Sequence, residues 1–166
     1  LIGYEVQKIL ACVDWFDQEA TAARQADPSK PGTKIGVVGY GEGGMLALYA
    51  AALEPRIGAC GVSGFFGSRQ NVWQEPIDRN VFGLLEQFGD AELASLVAPR
   101  ALVIDAHAYP EVTLPGQGGA PARLIPQTAA DVAQELARLR TLIAGLGASA
   151  SSIQLRDDRG PADAYF

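Results

Sequence analysis

The chain has 166 residues, the size of one folded domain. Its 13 Lys and Arg against 19 Asp and Glu give a formal net charge of −6, which excludes a surface built to neutralise nucleic-acid phosphates. Apolar residues make up 48% and charged residues 19%, a globular rather than a disordered composition, and no apolar run approaches the roughly 20 residues that cross a bilayer.

Residues 2 to 26 predict a helix. Ile2, Val6, Ile9, Val13 and Phe16 recur at helical spacing, with Glu5, Lys8, Asp14 and Asp17 between them. Asp27-Pro28-Ser29-Lys30-Pro31-Gly32 ends it, because proline cannot continue a helix. Lys34-Ile35-Gly36-Val37-Val38 then reads as a strand buried on both faces. Gly39-Tyr40-Gly41-Glu42-Gly43-Gly44 follows, and Met45 to Leu53 is an apolar run of helix formers stopped by Glu54-Pro55-Arg56. Ile57 to Ser63 predicts a second strand. Residues 64 to 80 are irregular and aromatic, with Phe65, Phe66 and Trp73. Residues 81 to 97 predict one broken or two short helices, interrupted at Gly89. Ala101 to Ile104 predicts a third strand, and 105 to 127 a long Gly- and Pro-rich loop of the kind that carries function or disorder. Thr128-Ala129-Ala130-Asp131 resembles a capping box and opens a helix with Val132, Leu136, Leu139 and Ile143 on one stripe, ended by Gly145 and Gly147. Ser152 to Leu155 predicts a fourth strand, followed by a solvated turn with Arg156, Asp157, Asp158 and Arg159.

Strands alternating with helices predict an α/β fold: three layers, α/β/α, with a parallel sheet of about four strands covered on both faces. Cys12 and Cys60 are isolated, so they form neither a disulfide framework nor a metal-ligand spacing, and both are expected to be buried. No basic, apolar leader opens the chain, which starts at Leu1 and has its only methionine at Met45. The expectation is that the natural N-terminus lies upstream. The compartment is left open, secreted and periplasmic locations included.

The glycine turn carries the most information. Glycines between a buried strand and an apolar helix permit a sharp turn, and the amides at the helix start suit an anion or a developing oxyanion. Gly39, Gly41 and Gly44 satisfy the dinucleotide pattern G-x-G-x-x-G, but no acid closes the next strand, where Val62-Ser63-Gly64-Phe65 stands and the next acid is Glu75. Gly39 and Gly43 also fit the outer positions of the nucleophile elbow G-x-S-x-G, with Gly41 where the serine belongs. A tight turn packing a helix on a sheet is the plain structural alternative.

In these elements the chain resembles the α/β-hydrolase superfamily, particularly its dienelactone-hydrolase and acetyl-xylan-esterase branch. The resemblance rests on Lys34 to Ala52, on Ile57 to Arg69, and on Phe88-Gly89-Asp90 to Ile104, where Ala98-Pro99-Arg100 leads into a strand. It implies the second half of that fold, so that residues 1–166 form one partial domain, truncated at the N-terminus and conceivably at the C-terminus. Its implied partners are a small-molecule or carbohydrate ester and the rest of its own domain, with no nucleic acid, membrane, metal or cofactor. The family order is nucleophile, acid, histidine. The nucleophile position is Gly41, the acid position falls at Tyr109 with Asp105 and Glu111 nearby, and the histidine position in Arg156 to Pro161 holds none. The resemblance therefore implies an esterase-like protein with a degenerate catalytic apparatus.

The alternative is an active ester hydrolase with relocated residues. His107, the chain's one histidine, would act as general base oriented by Asp105 or Glu111, since side chains two apart on an extended segment share a side. Tyr40, Gly41, Glu42 and Ser63 are the candidate pocket and oxyanion residues. Glu42 also suits the helix N-terminus through its charge, and Ser63 has no adjacent base to activate it. Phe65, Phe66 and Trp73 are candidates for a pocket mouth or for the core. Missing upstream strands would leave Ile35 to Val38 as an exposed apolar edge.

Overall fold

In the computed structural model, residues 1–107, 111–114, 121–145 and 152–156 are described. The fold is α/β, with a four-stranded, all-parallel sheet and helices. In chain order the elements are α1 (Ile2–Ala26), β1 (Ile35–Tyr40), α2 (Glu42–Leu53), β2 (Ile57–Ser63), α3 (Asp90–Val97), β3 (Ala101–Asp105), β4 (Val112–Thr113), β5 (Arg123–Leu124), α4 (Ala129–Ala144) and β6 (Ile153–Arg156). The sheet runs β1-β2-β3-β6, and β4 and β5 pair as a short antiparallel hairpin within the long loop. Between β2 and α3 the chain makes three short 3₁₀ turns, at Val72–Gln74, Ile77–Arg79 and Leu84–Glu86.

Register sorts the sheet into two faces. Val37 pairs with Cys60, Cys60 with Leu102, and Leu102 with Ile153; the next row holds Gly39, Val62, Ile104 and Leu155. These rows face the helices, and Cys60, Val62, Leu102, Ile104 and Ile153 are buried there. α2 packs directly on β1 and β2, α1 lies against α2, and α3 stands between α2 and α4. α2 gets close because the residues it buries are small or flexible: Gly44, Met45, Ala47, Leu48, Ala50 and Ala51. α4 inserts Val132, Leu136, Leu139 and Ile143, the stripe read from sequence. Its start is the predicted capping box, with the Asp131 amide donating to Thr128 Oγ1 and the Thr128 amide to Asp131 Oδ2.

Arg100 closes the other end of the helical layer. Its guanidinium donates to the carbonyls of Glu54 (3.0 Å), Ile57 (2.7 Å), Ala51 (2.8 Å) and Leu96 (2.9 Å). These lie at the C-terminal ends of α2 and α3 and the start of β2, where backbone acceptors lack helical partners. That is the physical work of the arginine in Ala98-Pro99-Arg100.

Two expectations change. The opposite face of the sheet carries no helix among the described residues: Gly36, Val38 and Tyr40 on β1, Ala59 on β2 and Ala101 on β3 are exposed there. β1 is therefore not buried on both faces as its apolar run suggests. Cys12 is exposed on α1, because it lies off the buried stripe of Ile2, Val6 and Val13; only Cys60 is buried. Phe65 and Phe66 are core, and Trp73 is 63% exposed. The expected histidine position at 157–161, Gly147, Tyr109, and the turn at Asp157, Asp158 and Arg159 lie outside the described residues.

Candidate functional site

The turn from β1 into α2 places Gly41 at φ 56°, ψ −118°, a backbone conformation that L side chains rarely adopt. Its amide donates to Ser63 O at 2.9 Å, and its carbonyl accepts from the Met45 amide at 3.2 Å, joining strand end to helix start. A Cβ at Gly41 would meet nothing within 4 Å. A Cβ at Gly39 would overlap the backbone of Gly43, and one at Gly44 would lie 2.9 Å from Ser63 O and 3.1 Å from Gly39 O. Close approach of helix to strand therefore requires Gly39 and Gly44, backbone conformation favours glycine at 41, and Gly43 faces open space.

At the carboxyl edge of the sheet, register aligns Tyr40, Ser63, Asp105 and Arg156 in one row on the face away from the helices. Tyr40 is exposed, whereas Ser63 and Asp105 are buried. Ser63 Oγ donates to Asp105 Oδ2 at 2.7 Å, and the His107 amide donates to Asp105 Oδ1 at 3.2 Å. Ligands of open α/β sheets bind at this edge.

The candidates are thus partly brought together. Gly41, Ser63 and Asp105 adjoin one another at the edge. Asp105 binds the backbone of His107; the His107 ring is exposed and forms no hydrogen bond among the described residues. Glu111 pairs with Arg123 at 2.6 Å on the exposed hairpin. Glu42 is exposed at the first residue of α2, where its charge favours the helix start.

The sequence reading missed a second polar cluster. Arg69 lies over the Phe65 ring at 4.3 Å and Arg79 at 5.9 Å. Arg69 Nη1 donates to Glu75 Oε1 at 3.1 Å and Nη2 to Phe65 O at 2.9 Å, and its Nε lies 3.4 Å from Asp90 Oδ2. Asp90 Oδ2 also accepts the Gly67 amide at 3.0 Å, and Arg79 Nε lies 3.5 Å from Glu75 Oε2. All four charged side chains are buried. Burial pushes the Asp90 carboxyl up to about 7, against the opposing pull of Arg69 and the Gly67 amide. Arginines interleaved with acids look solvated in sequence; here Arg69 and Arg79 lie over the Phe65 ring, and Asp90, the first residue of α3, meets Arg69.

No family model matches the chain, no curated protein matches it, and no solved structure matches it.

Proposed function

We propose that the chain is an esterase-like α/β-hydrolase-fold protein that binds an ester-type small molecule at the carboxyl edge of its sheet without hydrolysing it. The observation that carries this reading is Gly41: it holds the elbow position, in a strained turn between strand and helix, and has no side chain to attack with. Loss of the nucleophile from a triad hydrolase costs on the order of 10⁶ in rate. What an oxyanion site and binding alone retain is roughly 10³ to 10⁴ over water. The open space in front of Gly41, with the amides at the start of α2 and the Ser63–Asp105 pair beside it, supports a bound carbonyl group.

The test is hydrolysis of p-nitrophenyl acetate by the protein and by His107→Ala, together with labelling by a fluorophosphonate probe. The reading expects no more turnover than the roughly 10³ to 10⁴ over water that such a site retains without a nucleophile, unchanged in His107→Ala, and no covalent label in this chain. Turnover lost in His107→Ala would instead establish the relocated histidine with Asp105 or Glu111. A label on a residue of this chain would overturn the reading outright.

The second reading is a dinucleotide site. It draws on Gly39, Gly41 and Gly44, the three glycines that packing and backbone geometry single out and that also spell G-x-G-x-x-G. Against it, the described strands run β1-β2-β3-β6 with no reversal of order, so the described sheet offers no switch-point crevice at β1. Titration with NAD and FAD separates the two.

A further inference from the structure

Folded proteins pair nearly all their buried polar atoms, so orphans gathered in one place call for a cause. Among the described residues, the four buried side-chain atoms that lack a hydrogen bond all belong to the cluster around Phe65: Arg69 Nε, Arg79 Nε, Arg79 Nη2 and Asp90 Oδ1. The two Nε atoms face carboxylates too far off for a hydrogen bond, Asp90 at 3.4 Å and Glu75 at 3.5 Å. The Arg79 side chain is 3% exposed, so its Nη2 has no recourse to solvent.

Three of the four orphans are donors. A guanidinium only donates, so the cluster is short of acceptors. A water that accepted from two of these N–H groups would have to place two O–H groups of its own, and only Asp90 Oδ1 stands ready to receive one. An anion accepts from several sides and donates nothing.

Charge asks for the same occupant. With both carboxyls ionised, Arg69, Arg79, Glu75 and Asp90 sum to zero. Burial pushes the Asp90 carboxyl up to about 7, so near neutral pH part of the molecules carry it protonated. The protonated cluster then holds one positive charge in the interior, where an uncompensated charge is costly. One monovalent anion restores zero. The other groups near Asp90 leave this count intact. Tyr49 of α2 stays neutral, its phenol pushed up to about 12 by burial and the Asp90 charge. Glu135 of α4 and Glu92 of α3 share Arg138, which is 46% exposed, so their remaining charge is screened by solvent. Arg69 also lines an open crevice of about 360 Å³ with Ser68, Gln70, Phe88 and Gly89, which brings solvent up to the cluster.

We propose that this cluster is a buried site for one halide-sized monovalent anion, held by the N–H groups of Arg79 and Arg69 and taken up together with one proton on Asp90. Neutrality is kept in both states: a carboxylate without the anion, or a carboxylic acid with it. The site is separate from the sheet edge and does not rest on the esterase-like reading.

The test is urea denaturation with chloride replacing gluconate at constant ionic strength, at about pH 6 and about pH 8.5, either side of the Asp90 titration. At the lower pH the folded-to-unfolded ratio is expected to rise by up to about tenfold for each tenfold rise in chloride, and the same response at the higher pH is expected to need at least about tenfold more chloride. Asp90→Asn, neutral throughout, is expected to respond alike at both pH values. Arg79→Leu is expected to lose the response. A crystal soaked in bromide is expected to show an anomalous peak within hydrogen-bond reach of Arg79 Nη2. Equal stability in chloride and gluconate at the lower pH would overturn the proposal and leave water as the occupant. A bromide peak without the chloride response would be an adventitious ion only and overturns it as well, as does a response that survives in Arg79→Leu. Should the variants fail to fold, the chloride and bromide measurements on the unmodified protein decide alone.

Discussion

A side chain at position 41 would point into open space, yet the backbone there sits at φ 56°. Gly41→Ser is therefore expected to fold with a loss of about 1–3 kcal/mol, the cost of holding an L residue in a sparsely populated backbone region. Gly39→Ala puts its Cβ into the backbone of Gly43 and is expected to cost more than about 3 kcal/mol or to prevent folding. Urea denaturation of the two variants checks the order; equal losses would remove the elbow geometry from the argument. Gly41→Ser is also expected to stay inactive towards p-nitrophenyl acetate, since the only described imidazole, His107, makes no hydrogen bond to Asp105 through its ring. Asp90 gives a pH signature. Its carboxyl rises from 3.8 to about 7 in the folded protein, so between these values the folded state binds more protons than the unfolded state. The stability this group contributes is present below about pH 4 and is lost as pH rises towards 7, with a slope of at most about 1.4 kcal/mol per pH unit. Asp90→Asn keeps an acceptor for the Gly67 amide and is expected to flatten that part of the profile. An unchanged urea midpoint curve from pH 4 to 7.5 would show that Asp90 titrates normally.

Helices and strands were largely legible in sequence because each has a local signature. The stripe of α1, the Thr128 box of α4 and the short apolar strands are all where periodicity and turn residues put them. α2 begins at Glu42, before the apolar run that marks it, because its first turn is made of glycines that carry no propensity signal. The β4–β5 hairpin is only two residues per strand, too short to leave a pattern. The Ser63–Asp105 pair lay hidden for another reason. Its partners are 42 residues apart and meet only through strand register, whereas the two-residue spacing that suggested Asp105 with His107 yields a backbone contact instead. Arg100 is the clearest case of an element-scale role: one side chain caps carbonyls from α2, α3 and the start of β2. Arg100→Ala leaves those acceptors short of donors and is expected to cost about 2–4 kcal/mol, while Arg56→Ala, on an exposed ion pair with Asp14, is expected to cost less than about 1 kcal/mol. Comparable thermal shifts for the two variants would contradict the capping role.

At the scale of the whole molecule, the core is one continuous cluster running from Ile2 and Val6 on α1 to Ile143 on α4, with the helix-facing rows of the sheet at its centre. Composition and alternation predicted an α/β fold, and that is the fold, but an apolar run reads as buried on both faces whether or not it is, and Val38 and Tyr40 of β1 are exposed. Adjacent residues of β3 separate the two layers: Leu102 is 1% exposed under the helices, and Val103 lies on the bare face. Leu102→Ala removes a packed side chain and is expected to cost about 2–5 kcal/mol in any setting. Val103→Ala reports on the other face of the sheet. Half-buried there, Val103 is expected to lose about 1 kcal/mol or less. Urea denaturation of the two variants side by side compares the two faces of β3, and equal losses would contradict the packing difference between Leu102 and Val103.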